Sequence, residues 1–128
     1  MTPGYWIGVD LGGTKVLAGL FDENLTLLAR AKHPTGAEGG PSGVLARIGQ
    51  VVDTVIREAK IDPAHVRGLG FGIPGQIVPK TTTVRFAPNL DWHNVDLKPL
   101  LPADWTWPIA VENDVRMGTY GEFAHGAA

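Results

Sequence analysis

An aspartate, two glycines, a threonine and a lysine stand almost together in Asp10-Leu11-Gly12-Gly13-Thr14-Lys15. Glycine bares the backbone and opens positive φ, so N–H groups at such a turn can wrap phosphate oxygens closely. Thr14 adds a hydroxyl donor and Lys15 a cation. Asp10, ending an apolar run, is suited to hold Mg²⁺ through water. An ordinary Gly-Gly hairpin turn is the competing reading. The G-x-x-x-x-G-K-[ST] spacing of a P-loop is absent, so phosphate binding here would use a hairpin.

A second group is Glu112-Asn113-Asp114, where a strand gives way to a helix. Phosphoryl transfer asks little covalent chemistry of a protein; it needs a positioned hydroxyl and a carboxylate to take the proton. Asp114 suits that base role, and helix capping by Asn113 and Asp114 is the alternative. Asn89, in Pro88-Asn89-Leu90-Asp91-Trp92, carries an amide that both donates and accepts, as sugar hydroxyls require. The neighbouring Trp92 can stack on a sugar ring or simply fill the core. Pro74-Gly75 forms a turn at a strand's C-terminal end, either plain or shaping a sugar pocket. Gly70-Phe71-Gly72-Ile73-Pro74-Gly75 matches G-x-G-x-x-G literally. A dinucleotide fingerprint must open a helix, however, and Pro74 followed by Gln76 to Pro79 does not read as one. Gly70 and Gly72 instead suit a strand packed closely under a neighbour.

Composition narrows the classes. The chain has 128 residues, net charge -2, 44% hydrophobic and 19% charged residues, and no cysteine. These values describe a globular domain with a core of its own. Disulfides, thiolate metal sites and cysteine nucleophiles are excluded. No basic cluster marks a nucleic-acid or anionic-membrane surface. No apolar stretch approaches the roughly 18 residues of a membrane span, and the first residues do not read as a signal peptide. A cytoplasmic location is expected. His33, His65, His93 and His125 have no metal-ligand spacing and are expected at the surface or in structural roles, with Trp6, Trp105 and Trp107 in packing.

The elements that must position these residues follow from periodicity. Tyr5 to Val9, Lys15 to Phe21 and Leu25 to Lys32 read as an antiparallel meander, with a turn at Asp22-Glu23-Asn24. A loop from Pro34 to Gly43 leads into a helix capped by Ser42. Val44, Leu45, Ile48, Val51, Val52, Val55 and Ile56 form its apolar face. Asp62-Pro63 suits a short helical turn. Val66 to Ile73 reads as a buried strand, Thr81 to Phe86 as a short edge strand and Ala87 to Asn94 as a loop. Asp96 to Leu101 reads as a short helix, Pro108 to Val111 as a last strand and Asn113 to about His125 as a helix. A mixed sheet with flanking helices is expected, an α/β fold.

The combination Ile7-Gly8-Val9-Asp10-Leu11-Gly12-Gly13-Thr14-Lys15, Gly70-x-Gly72-x-Pro74-Gly75, Ala87-Pro88-Asn89-Leu90 and Glu112-Asn113-Asp114 with Gly121-Glu122 closely resembles the ROK family of bacterial sugar kinases and sugar-responsive repressors. The resemblance implies a ribonuclease-H-like lobe of the actin/hexokinase superfamily. It implies ATP- and Mg²⁺-dependent phosphorylation of a hexose 6-hydroxyl, with glucose first among the substrates. Asp10, Gly12, Gly13, Thr14 and Lys15 would face the nucleotide phosphates. Asn89 and Asn113 would bind sugar hydroxyls, Pro74 and Gly75 would border the sugar, and Asp114 would be the base. Residues 1–128 would be a single N-terminal lobe; the family's second lobe, with its glycine-rich turn and frequent zinc site, is not in this sequence. With the first strand read from Tyr5, the DNA-binding helices of the repressors are not expected ahead of it. Val115-Arg116-Met117-Gly118 departs from the Ala-Asn-Ala-Ala common in the family. The alternatives are a stand-alone sugar-binding or assembly module that pairs with a second chain completing the site, a homo-oligomer included, a chaperone-like ATPase of the same superfamily, and a kinase of N-acetylglucosamine, N-acetylmannosamine, fructose or allose.

Overall fold

The structure, a computed structural model, describes residues 4–113. The helix expected from Asn113 to about His125, with Asp114 in it, lies outside the described residues except for Asn113.

Alternating apolar and small residues make the first strands. β1 (Tyr5–Leu11), β2 (Lys15–Phe21) and β3 (Leu27–Pro34) form the expected antiparallel meander. β3 starts two residues later than its composition indicates. The Asp22 carboxylate accepts from the N–H groups of Asn24 and Thr26, each at 2.9 Å, and Leu25 takes a left-handed φ of 62°. That Asx-type turn occupies the donors a strand would need.

α1 (Gly40–Ala59) begins ahead of the expected Ser42 cap. Pro41 needs no N–H partner and its φ is already helical, so the first turn forms around it and Ser42 falls inside. No side chain caps this end. All seven residues of the expected apolar face are buried, and α1 lays them against β2 and β3. At the next turn, Asp62 caps the Pro63–His65 3-10 turn as expected, accepting from the Ala64 N–H at 2.9 Å.

β4 (Val66–Ile73) and β8 (Ile109–Asn113) then add to β1 in parallel, giving the sheet order β3-β2-β1-β4-β8. Register decides what each face carries, because side chains alternate across a sheet. Ala18, Val9, Phe71 and Val111 are cross-strand neighbours on one face, as are Leu20, Ile7, Leu69 and Ile109. These rows form one core with α1. On the other face Gly19, Gly8, Gly70 and Ala110 make one row with nothing larger than a methyl, between a row holding Phe21, Trp6 and Gly68 and a row holding Leu17, Asp10, Gly72 and Glu112. Gly70 and Gly72 are buried within β4, and a short strand rather than a helix follows, which removes the dinucleotide-binding reading.

β5 (Gln76–Ile77), β6 (Thr83–Ala87) and β7 (Trp92–Asp96) form a separate three-stranded sheet with β6 in the middle. Sequence reading made β6 an edge and residues 87–94 a loop. The Pro88–Leu90 3-10 turn and a left-handed Asp91 (φ 55°) reverse the chain at once, so that Ala87 pairs with Trp92 and Phe86 with His93. Trp92 is 1% exposed and is a core residue, not a sugar-stacking surface. The segment expected as a helix from Asp96 is a 3-10 turn at Lys98–Leu100, with Pro99 inside it. Trp105 and Trp107 are half-buried against the core, as expected.

Ile48 is fully buried on the inner face of α1. Ile48→Ala is expected to lower unfolding free energy by about 2–5 kcal/mol, through lost transfer energy and the cavity left behind. Urea denaturation followed by far-UV circular dichroism measures this; a loss under about 0.5 kcal/mol would contradict the packing described.

Candidate functional site

Three parallel strands set the site. β1, β4 and β8 point the same way, so their C-terminal ends share one edge of the sheet. In α/β sheets that edge is where ligands collect. Asp10 pairs with Gly72, Gly72 with Glu112 and Ile73 with Asn113. Adjacent strands lie about 4.8 Å apart, so Asp10 and Glu112 stand roughly 10 Å apart with Gly72 between them. The Gly12–Lys15 turn leaves this edge from β1, and Pro74-Gly75 leaves it from β4. Asn113 ends β8 there. Asp114 lies outside the described residues.

The turn is tight. The Gly12 N–H donates to the Lys15 carbonyl at 2.8 Å, while the N–H groups of Gly13 and Thr14 take no part in the turn's hydrogen bonds. Asp10, Thr14 and Lys15 are exposed. The expectation that these glycines supply positive φ is not met, since neither Gly12 nor Gly13 takes a left-handed backbone. Gly13 is small for another reason: a Cβ there would sit 3.2 Å from the Asn89 Cβ and 3.4 Å from the Asn89 carbonyl oxygen. The hairpin carrying Asn89 therefore packs directly on the turn, which brings together two motifs 76 positions apart in sequence (89 − 13). Asn89 is itself exposed.

Gly75 is also a space requirement. A Cβ at this position would collide with the Phe86 carbonyl and lie 3.0 Å from the Ala87 Cα. The loop after β4 thus rests on the backbone of β6, the strand that leads to Asn89. Beside it opens a groove of about 670 Å³, lined by Gly75, Gln76, Ile77, Arg85 and Glu112 among others. Its size falls in the range of small-molecule sites.

Sequence reading missed the support behind the turn. Thr35 is fully buried; its hydroxyl donates to the Gly12 carbonyl and its N–H to the Thr14 carbonyl, both at 2.8 Å. Arg47 on α1 donates to the Thr35 carbonyl at 2.9 Å. The available signal was register: a meander pairing Lys15 with Pro34 places residue 35 opposite Thr14.

Asp10 is the described carboxylate beside the turn, and the Glu112 carboxylate is two strands away. Among the described residues no group of three or more His, Cys, Asp or Glu side chains converges to hold a metal. That donor set suits Mg²⁺, which keeps several waters and takes one or two carboxylates alongside substrate phosphates. No helix among the described residues is long and apolar enough to cross a membrane.

Because Gly75 faces backbone rather than a flexible side chain, Gly75→Ala is expected to destabilise the protein by about 1–3 kcal/mol, the usual range for overpacking. A denaturant midpoint measures it; an unchanged midpoint would show that the loop does not rest on β6.

Known proteins share this sequence pattern and fold. A glucokinase of Streptomyces coelicolor is 36% identical over 123 residues, covering 96% of this chain and 37% of that protein. The structure superposes on a ROK family glucokinase of Streptomyces griseus in complex with glucose and AMPPNP, with TM-score 0.81 and 35% identity over 97% of this chain and 38% of that one. An inorganic polyphosphate/ATP-glucomannokinase of an Arthrobacter species gives TM-score 0.78 and 30% identity over 98% of this chain and 50% of that one. The chain therefore spans about 37% of the length of the glucokinase it matches. Its α/β architecture is the actin/hexokinase fold of these sugar kinases. The sequence profile of the ROK family matches residues 6–128, and with these likenesses it places the chain in the ROK family.

Proposed function

We propose that this chain is the N-terminal lobe of an ATP-dependent hexose kinase, and that the complete protein converts glucose to glucose 6-phosphate in the cytoplasm. The observation that carries the proposal is the packing of Gly13 on Asn89 at the shared ends of β1, β4 and β8. A turn suited to phosphates and an amide suited to sugar hydroxyls are neighbours, as transfer between the two ligands requires. The Streptomyces griseus relative, solved with glucose and AMPPNP, supports the same pair of ligands.

In this reading the free N–H groups of Gly13 and Thr14, the Thr14 hydroxyl and the Lys15 ammonium bind nucleotide phosphates. Asp10 holds Mg²⁺ through water, and the ion offsets phosphate charge when bound. Asn89 and Asn113 hold sugar hydroxyls, and Pro74 and Gly75 border the sugar. Asp114 takes the proton from the 6-hydroxyl as its oxygen bonds to the γ-phosphorus and the bond to ADP breaks. Residues beyond this chain complete the nucleotide site from a second lobe, so the lobe alone has little activity.

In the full-length gene product, Asp114→Ala is expected to lower kcat for glucose by roughly 10²–10⁴-fold, the usual contribution of general-base catalysis. A coupled glucose 6-phosphate assay reads it, and a variant as active as the parent removes Asp114 from the base role. The same assay with N-acetylglucosamine, N-acetylmannosamine, fructose and mannose decides the hexose. Activity on another sugar alone would keep the kinase and overturn glucose.

A further inference from the structure

We infer that Thr35 is a positioning residue that holds the Gly12–Lys15 turn in its phosphate-binding shape, and that Arg47 on α1 holds Thr35. The inference rests on the reading that this turn faces nucleotide phosphates. It assigns the turn's geometry to two residues outside the turn.

Thr35 is the one polar or charged side chain fully buried among the described residues. Burying a hydroxyl is unfavourable unless it is hydrogen-bonded, and here the partner is a carbonyl of the turn itself. The Thr35 hydroxyl engages the Gly12 carbonyl and its N–H engages the Thr14 carbonyl. The Lys15 carbonyl is taken by the Gly12 N–H. Three of the turn's carbonyl dipoles are thus committed within the protein. A carbonyl oxygen repels phosphate, so fixing these three leaves the unengaged Gly13 and Thr14 N–H groups as the turn's offer to an anion. Donors fixed before the ligand arrives need no reorganisation when it binds.

Arg47 completes the device. Its guanidinium donates to the Thr35 carbonyl at 2.9 Å, tying the latch to the long helix. To reach it, the guanidinium lies where a side chain at Gly36 would be, and a Cβ there would collide with Arg47 Nη1. Gly36 also takes a φ of 63°, the left-handed region that favours glycine. Thr35, Gly36 and Arg47 therefore form one unit, anchored in a helix whose inner face is core.

The test uses the full-length protein and three variants. Thr35→Val keeps the shape and removes the hydroxyl, Thr35→Ser keeps the hydroxyl, and Arg47→Met removes the guanidinium. Thr35→Val is expected to raise KM for ATP about tenfold, the factor that ~1.4 kcal/mol corresponds to. KM for glucose should move by less than about twofold, because uniform damage would raise both. Thr35→Ser should restore the parent value, and Arg47→Met should shift ATP alone by about threefold, as loss of one hydrogen bond predicts. If Thr35→Val does not fold, the Arg47→Met and Thr35→Ser results decide. An unchanged KM for ATP, or equal rises for ATP and glucose, would overturn the latch. Amide exchange separates this idea from the kinase reading. Faster exchange of the Gly12 N–H in Thr35→Val supports the latch even if the parent phosphorylates no hexose, and unchanged exchange overturns it.

Discussion

Parallel pairing of β1 with β4 and of β4 with β8 is the constraint on which the rest of the structure depends. It brings Asp10, Gly72 and Glu112 into one row and so gathers three chain exits at one edge. Shifting β1 by one residue would turn Asp10 towards the core and expose Val9, and shifting β4 would expose Phe71. The apolar core fixes the register as a result. The same alternation that buries Leu69, Phe71 and Ile73 leaves Asp10 at the site.

Close approach of backbones is the second theme. Gly13 faces Asn89, Gly75 faces the Phe86 carbonyl, and a Cβ added at Gly68 would lie 3.0 Å from the Trp6 indole. At Gly75 the neighbour lies nearer than a Cβ allows, and at Gly13 and Gly68 a Cβ would fit only tightly. The two nearest the site join the large sheet to the small one, so the Gly12–Lys15 turn, the loop after β4 and the Asn89 hairpin form a connected surface.

Much of this was legible in the sequence because it is written in local pattern. Apolar and β-branched runs found β1, β2 and β4, and helical spacing found every buried residue of α1 except Gly49. The motifs also pointed to one shared edge of the sheet, because Asp10 and Asn113 each stand near the end of an apolar run. What stayed hidden depends on partners distant in sequence. β7 looked like a loop because Trp92, His93 and Asn94 do not alternate clearly, and pairing with β6 makes it a strand. Thr35 looked like any polar residue in a Gly/Pro-rich loop, and its burial follows only from the hairpin beside it. The reason for Gly13 was misread for the same cause: its neighbour Asn89 is far away in the chain.

The most direct test is a crystal structure of the full-length gene product with a non-hydrolysable ATP analogue, Mg²⁺ and glucose. The expected result places phosphate oxygens within about 3 Å of the Gly13 and Thr14 nitrogens, the usual hydrogen-bond distance. Asn89 would contact glucose, and Thr35 would still hold the Gly12 and Thr14 carbonyls. Nucleotide phosphates bound away from the Gly12–Lys15 turn, with glucose out of reach of Asn89, would contradict it.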